Sequence, residues 1–165
     1  MKNVVLVGMP GAGKSTIGVV LAKVLGFEFI DSDIVIQKQE KKLLREIIEE
    51  NGLDGFIEIE GNINASLNGE NTVIATGGSA VYHDEAMKHF QKTAKIVYIK
   101  LSYETLVSRL GDLKRRGVVL REGQTFKELY NERHPLYESY ADIIVDGEEK
   151  TVEELMVAIK EKLNY

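Results

Sequence analysis

The sequence predicts a three-layer α/β fold, with a central parallel sheet of about five strands and helices on both faces. Three observations carry this expectation. Short apolar runs of strand length alternate with longer stretches of 3.6-residue period. The runs are mostly apolar, with no sustained alternation of polar residues, as strands buried on both faces require. Between the first run and the first helical stretch lies Gly8-Met9-Pro10-Gly11-Ala12-Gly13-Lys14-Ser15, a glycine-rich strand-to-helix turn.

The strands are expected at 4–7, 27–30, 72–75, 95–99 and 142–145. A helix over 14–25 follows the first, stopped by Gly26, with Ile17, Leu21, Val24 and Leu25 as its apolar stripe. Further helical patterns run over 34–50, 56–67, 84–91, 103–113 and 125–140. The last, 152–163, opens with Thr151 and Glu154 spaced as a capping box. There is no repeat, no low-complexity run and no linker, so residues 1–165 are expected to form one domain. The stretch 111–123, with Lys114, Arg115 and Arg116, has the look of a mobile loop.

Composition narrows the function. The chain is 44% hydrophobic and 28% charged, outside the range of disordered chains. No cysteine is present, which removes disulfides, zinc fingers and thiol catalysis. Lys plus Arg number 21 against 26 Asp plus Glu, a net charge of −5, so a nucleic-acid-coating surface is not expected. No run is long enough to span a membrane and the N-terminus lacks a signal-peptide core, so a cytoplasmic protein is expected, with no membrane partner. His83, His89 and His134 have no ligand spacing.

The turn at 8–15 is a full G-x-x-x-x-G-K-S, in the strand-to-helix context that gives the motif its chemistry. Backbone N–H groups of such a turn face inward around phosphate oxygens, and the helix N-terminus adds positive partial charge. Gly11, Ala12, Gly13, Lys14, Ser15 and Thr16 are thus the expected nucleotide ligands. Lys14 would reach the β- and γ-phosphates, and the Ser15 hydroxyl would meet Mg²⁺. No Asn-Lys-x-Asp guanine-reading sequence is present, so ATP is expected.

The second strand leads into Asp31-Ser32-Asp33, at the sheet edge where ligands sit in such folds. With the phosphate loop, Phe29-Ile30-Asp31-Ser32-Asp33 resembles the shikimate kinase family. Three later segments resemble its pattern in order: Phe56-Ile57-Glu58-Ile59-Glu60, Ala75-Thr76-Gly77-Gly78-Ser79, and Arg133-His134-Pro135-Leu136-Tyr137. The resemblance implies a P-loop kinase fold with a lid at about 111–123 and a substrate-binding helical region at about 33–68. It further implies that Asp31 helps to hold Mg²⁺, that Asp33 binds substrate hydroxyls and takes the proton, and that Gly77 and Gly78 face the substrate. Arg133 would grip a carboxylate, Arg116 would close over the phosphates, and Arg109 would lie against adenine. Asp31 and Asp33 equally suit caps on the next helix.

Three positions depart from the family pattern. Ile57 stands where a second carboxylate-binding arginine is usual, Ser79 where a third glycine is usual, and Arg115-Arg116-Gly117-Val118 where the lid usually has Arg-Pro. An isoleucine supplies neither charge nor donor. The leading expectation is therefore an ATP- and Mg²⁺-dependent kinase of a small hydroxylated acid, with shikimate as acceptor. One alternative is a polyol or sugar acceptor without the carboxylate. Another is a nucleotide-binding regulator without transfer activity. A monomer is expected.

Overall fold

Val4, Val5, Leu6 and Val7 are wholly buried, which places the first apolar run at the centre of the sheet. The structure is a computed structural model and describes residues 3–111, 118 and 120–165. Strand β1 (Asn3–Val7) pairs on one side with β3 (Thr72–Ala75) and on the other with β4 (Ala94–Lys100). Outside these lie β2 (Glu28–Asp31), against β3, and β5 (Ile143–Asp146), against β4. The order is β2-β3-β1-β4-β5 and every pairing is parallel, as expected. Leu6 pairs with Ala75, and Ala75 with Asp31, so three strands end level at one edge.

The helices among the described residues are α1 (Lys14–Leu25), α2 (Ser32–Glu40), α3 (Leu44–Ser66), α4 (Asp84–Thr93), α5 (Tyr103–Arg109), α6 (Phe126–Tyr140) and α7 (Val152–Leu163). The β1-to-β2 connection steps one way along the sheet and the later ones step the other way. Right-handed crossovers therefore put α1 on one face and α4 and α6 on the opposite one. Helix α7 packs against α1, while α4 and α6 pack on β4. None of the described helices is long and apolar enough to cross a membrane.

Several boundaries differ from the sequence expectation, each for a local reason. The buried face of α1 is Ile17, Gly18, Leu21 and Ala22; Val24, on the Ile17 edge of that face in the last turn of the helix, is exposed. The helix expected over 34–50 breaks: α2 ends at Glu40, capped by Lys41 with φ 56°, and α3 begins at Leu44. The break turns Ile36 and Ile47 toward each other in a second apolar cluster with Phe56 and Ile63. Helix α3 then runs far past the expected start at 56, interrupted only at Gly52, whose φ of 71° and ψ of 175° are not helical. Helix α5 stops at Arg109, short of 113. A 3₁₀ turn at Gly78–Tyr82, absent from the expectation, follows β3. The first and last strands of the sheet, β2 and β5, sit one residue later than the runs that predicted them.

Candidate active site

At the level edge, β1 gives way to the turn 8–13, which closes on itself before α1 begins at Lys14. Gly11 and Gly13 have φ of 85° and 90°, a backbone region that side chains with a Cβ rarely adopt. These glycines bend the loop into a cradle. Lys14 turns back into it: its Nζ donates to the carbonyls of Gly8 at 2.7 Å and Met9 at 2.9 Å. The side chain is only 8% exposed. Burial pulls its pKa down to about 8, although the Asp33 carboxylate acts in the opposite direction.

Ser15 Oγ donates to Asp31 Oδ2 at 2.8 Å, and Asp31 Oδ1 accepts from the Asp33 backbone N–H at 3.0 Å. Asp31 thus caps α2 and faces the phosphate loop at once. Ser15 and Asp31 place two hard oxygen donors side by side, a set suited to Mg²⁺. Among the described residues no group of three acidic or histidine side chains could hold a metal. Asp33, in the first turn of α2, has its pKa raised by burial and by Asp31, with Lys14 opposing.

The end of β3 supplies the floor. Thr76 Oγ1 donates to the Leu6 carbonyl at 2.8 Å, tying this turn to β1. Tyr137 on α6 donates to the Gly78 carbonyl at 2.6 Å. A Cβ on Gly77 would lie 2.8 Å from Asp33 Oδ1 and 2.9 Å from Glu60 Oε2; one on Gly78 would lie 2.8 Å from Arg133 Nη1. The two glycines therefore leave open the space that these side chains face. Arg133, 3% exposed, donates through Nε to the Tyr82 hydroxyl at 3.2 Å, and its guanidinium lies 5.2 Å from the centre of the Tyr82 ring. No carboxylate among the described residues pairs with it.

A cavity of about 270 Å³ joins these groups, bounded by the phosphate loop, Asp33, Phe56, Glu60, the 76–79 turn and Arg133. Of the expected site residues, Gly11, Lys14, Ser15, Asp33, Gly77, Gly78 and Arg133 line this one space. Thr16 is exposed at the start of α1. Arg109 is exposed, its Nη1 3.5 Å from the Gly11 carbonyl, at the outer limit of a hydrogen bond. Arg116 lies outside the described residues, as does most of the expected lid. Ile57 is half-buried on α3, whose contribution to the cavity wall comes from Leu44, Ile48, Phe56 and Glu60. Arg45 is exposed.

Tyr82 was not among the expected site residues, and Glu60, Ser79 and Tyr137 stood only as parts of motifs. A signal existed for Glu60, an acidic residue four positions after Phe56 on the apolar face of α3. Burial raises its pKa to about 7, against a hydrogen bond from Ser79 that favours the anion.

Comparison with known proteins identifies the family. The family model described as "Shikimate kinase" matches residues 10–164. A shikimate kinase of Sulfurihydrogenibium sp. is 34% identical over 98% of this chain and 100% of its own length. One from Thermodesulfovibrio yellowstonii is 39% identical over 94% and 91%. Among solved structures, shikimate kinase from Acinetobacter baumannii in complex with shikimate superposes with a TM-score of 0.89, at 29% identity, covering 99% of this chain and 94% of that one. The Aquifex aeolicus enzyme gives 0.86 at 33% identity, covering 98% and 96%. A gluconokinase from Sinorhizobium meliloti shares the fold alone, at 18% identity and a TM-score of 0.59.

Proposed function

Because the chain belongs to the shikimate kinase family, and is thus a small-molecule kinase, we propose that it transfers the γ-phosphoryl group of ATP to a hydroxyl of shikimate, giving shikimate 3-phosphate. One observation supports this acceptor above all. Arg133, buried and with no carboxylate partner among the described residues, faces the same cavity as Asp33 and the phosphate loop. A buried cation that no carboxylate contacts is costly, and an acid substrate reduces that cost. The carboxylate-free acceptor and the non-catalytic regulator gain no support from the relatives.

The roles follow from placement. The 8–14 turn holds the ATP phosphates through its N–H groups and Lys14. Ser15 Oγ and Asp31 Oδ2 would hold Mg²⁺, whose charge offsets that of the phosphate oxygens. Arg133 takes the acceptor carboxylate, with Gly77 and Gly78 admitting the ring. Asp33 accepts the proton of the attacking hydroxyl as its oxygen bonds to the γ-phosphorus and the bond to the ADP oxygen breaks. Burial, by raising the Asp33 pKa, makes it the better base.

Calorimetry of shikimate binding tests the carboxylate site. Arg133→Lys keeps the charge but loses the planar fork. The loss of a charge-assisted bond, about 1.5–3 kcal/mol, should raise the shikimate Kd roughly 10- to 150-fold. ATP affinity should stay within a factor of two or so. Unchanged shikimate affinity would remove Arg133 from the acceptor site.

A further inference from the structure

Among the described residues that line the cavity the cations are Lys14 and Arg133, and Lys14 is committed to the Gly8 and Met9 carbonyls. Arg133 is held differently. It rises from the middle of α6, and both of its anchor points lie on the 3₁₀ turn Gly78–Tyr82. At the far end of that turn its Nε donates to the Tyr82 hydroxyl at 3.2 Å, with the guanidinium carbon 5.2 Å from the ring centre. At the near end a Cβ on Gly78 would lie 2.8 Å from Nη1. Nε is the only donor of this group with an acceptor among the described residues. A guanidinium has two flat edges, one made of Nε and a terminal nitrogen, the other of both terminal nitrogens. Tyr82 occupies the first, which leaves the second at the Gly78 side of the cavity. Tyr82 itself is half-buried and does not line the cavity. A buried arginine ordinarily meets a carboxylate, which cancels its charge. Tyr82 holds Arg133 without cancelling it. Its ring face attracts the cation, and burial raises the pKa of its hydroxyl against the opposing Arg133 charge, so this partner stays neutral.

We propose that Tyr82 is a positioning residue for the acceptor's charge: by engaging Nε and lying against the guanidinium of Arg133, it leaves the two-nitrogen end of that group free and charged for a bidentate contact with the acceptor carboxylate. The proposal rests on shikimate as the acceptor. It makes the preference for an anionic acceptor depend on a residue that never touches the substrate. A fork aimed beforehand gives up little further freedom when the carboxylate arrives. Ile57 on α3 supplies no second charge, so the aim of this one arginine carries the contact.

The test is steady-state kinetics of the full chain with ATP and either shikimate or its methyl ester, which keeps the ring hydroxyls and loses the negative charge. Three proteins are compared: the unaltered chain, Tyr82→Phe, which keeps the ring and loses the hydroxyl, and Tyr82→Leu, which loses both. In Tyr82→Phe the KM for shikimate should rise about 10-fold, the lower end of what one charge-assisted hydrogen bond contributes, while kcat holds. In Tyr82→Leu it should rise further. The kcat/KM for the methyl ester and the KM for ATP should be the same in all three proteins, a pattern that general loosening of the site would not leave intact. If the leucine variant does not fold, Tyr82→Phe decides alone. An unchanged shikimate KM in Tyr82→Phe, or an equal loss toward the ester, overturns the role of Tyr82. No turnover of shikimate by the unaltered protein is a different result: it overturns the acceptor reading, and the proposal with it.

Discussion

Burial keeps Lys14 near pKa 8, so its ammonium is held at a cost until phosphate anions surround it. Lys14→Met removes both the cost and the phosphate contact. Turnover should drop about 10²- to 10³-fold, while the melting temperature of the ligand-free protein holds or rises. A collapse of stability would mean that Lys14 is a structural brace for the Gly8 and Met9 carbonyls. Ile57 poses the opposite question, a site where charge is missing. It precedes Glu60 by three positions on α3, so Ile57→Arg puts a guanidinium within reach of that carboxyl group. The shikimate KM should fall by roughly 10- to 150-fold if the new group also reaches the substrate carboxylate. An unchanged KM would show that Arg133 suffices alone. The meeting of Lys14 and Ser15 with Asp31 and Asp33 at one sheet edge was legible, because a strand-to-helix glycine turn and the end of the second strand lie side by side in a parallel sheet. Glu60 stood inside a motif without a role of its own, since its place on the apolar face of α3 marks it for burial but does not say that it lies beside a glycine turn.

Element by element, the strands and the capped helices were the most legible. Helix α1 runs over the predicted Lys14–Leu25, and α7 over the predicted Val152–Leu163 with its capping box formed, Thr151 accepting from Glu154 N–H at 3.1 Å. Local signals decide both, so the sequence suffices. The stretch 34–66 was misdivided because its turn is tertiary. Lys41 takes a left-handed conformation that its residue type does not favour, and the gain is the packing of Ile36 on Ile47. The α1 stripe was misplaced for a related reason. Gly18 faces β2, where a Cβ would come within 2.6 Å of Phe29 Cε2. Gly18→Ala should therefore destabilise by about 1–3 kcal/mol, read by denaturant unfolding, with KM for ATP unchanged. A stabilised variant would mean that Phe29 yields freely and that helix propensity wins.

Across the chain as a whole, the acidic and basic groups of the cavity make stability depend on pH. Glu60 ionises near 7 in the folded protein against an ordinary 4.5, so folding favours its protonated form. That contribution is complete below about 4.5 and is lost as the pH rises through 7. Asp33, raised by the same burial, acts in the same direction. Lys14 does not contribute over this window, because it is protonated in both states well below 8. The melting temperature of the ligand-free protein should fall between pH 4.5 and 7, and Glu60→Gln should flatten that decline. A profile identical in the two proteins would place the titration elsewhere.

The same cavity joins a phosphate loop, a half-buried carboxylate base and a buried arginine without a carboxylate partner among the described residues, and this conjunction defines the proposed reaction. Phosphorus NMR of the unaltered protein with ATP, Mg²⁺ and, in turn, shikimate, quinate, gluconate and simple polyols examines it in one experiment. Shikimate should be consumed with a new phosphomonoester signal that grows in step with ADP, faster than with any other compound. ADP formed at the same slow rate with and without shikimate, while gluconate or a polyol gains a phosphate, would contradict it.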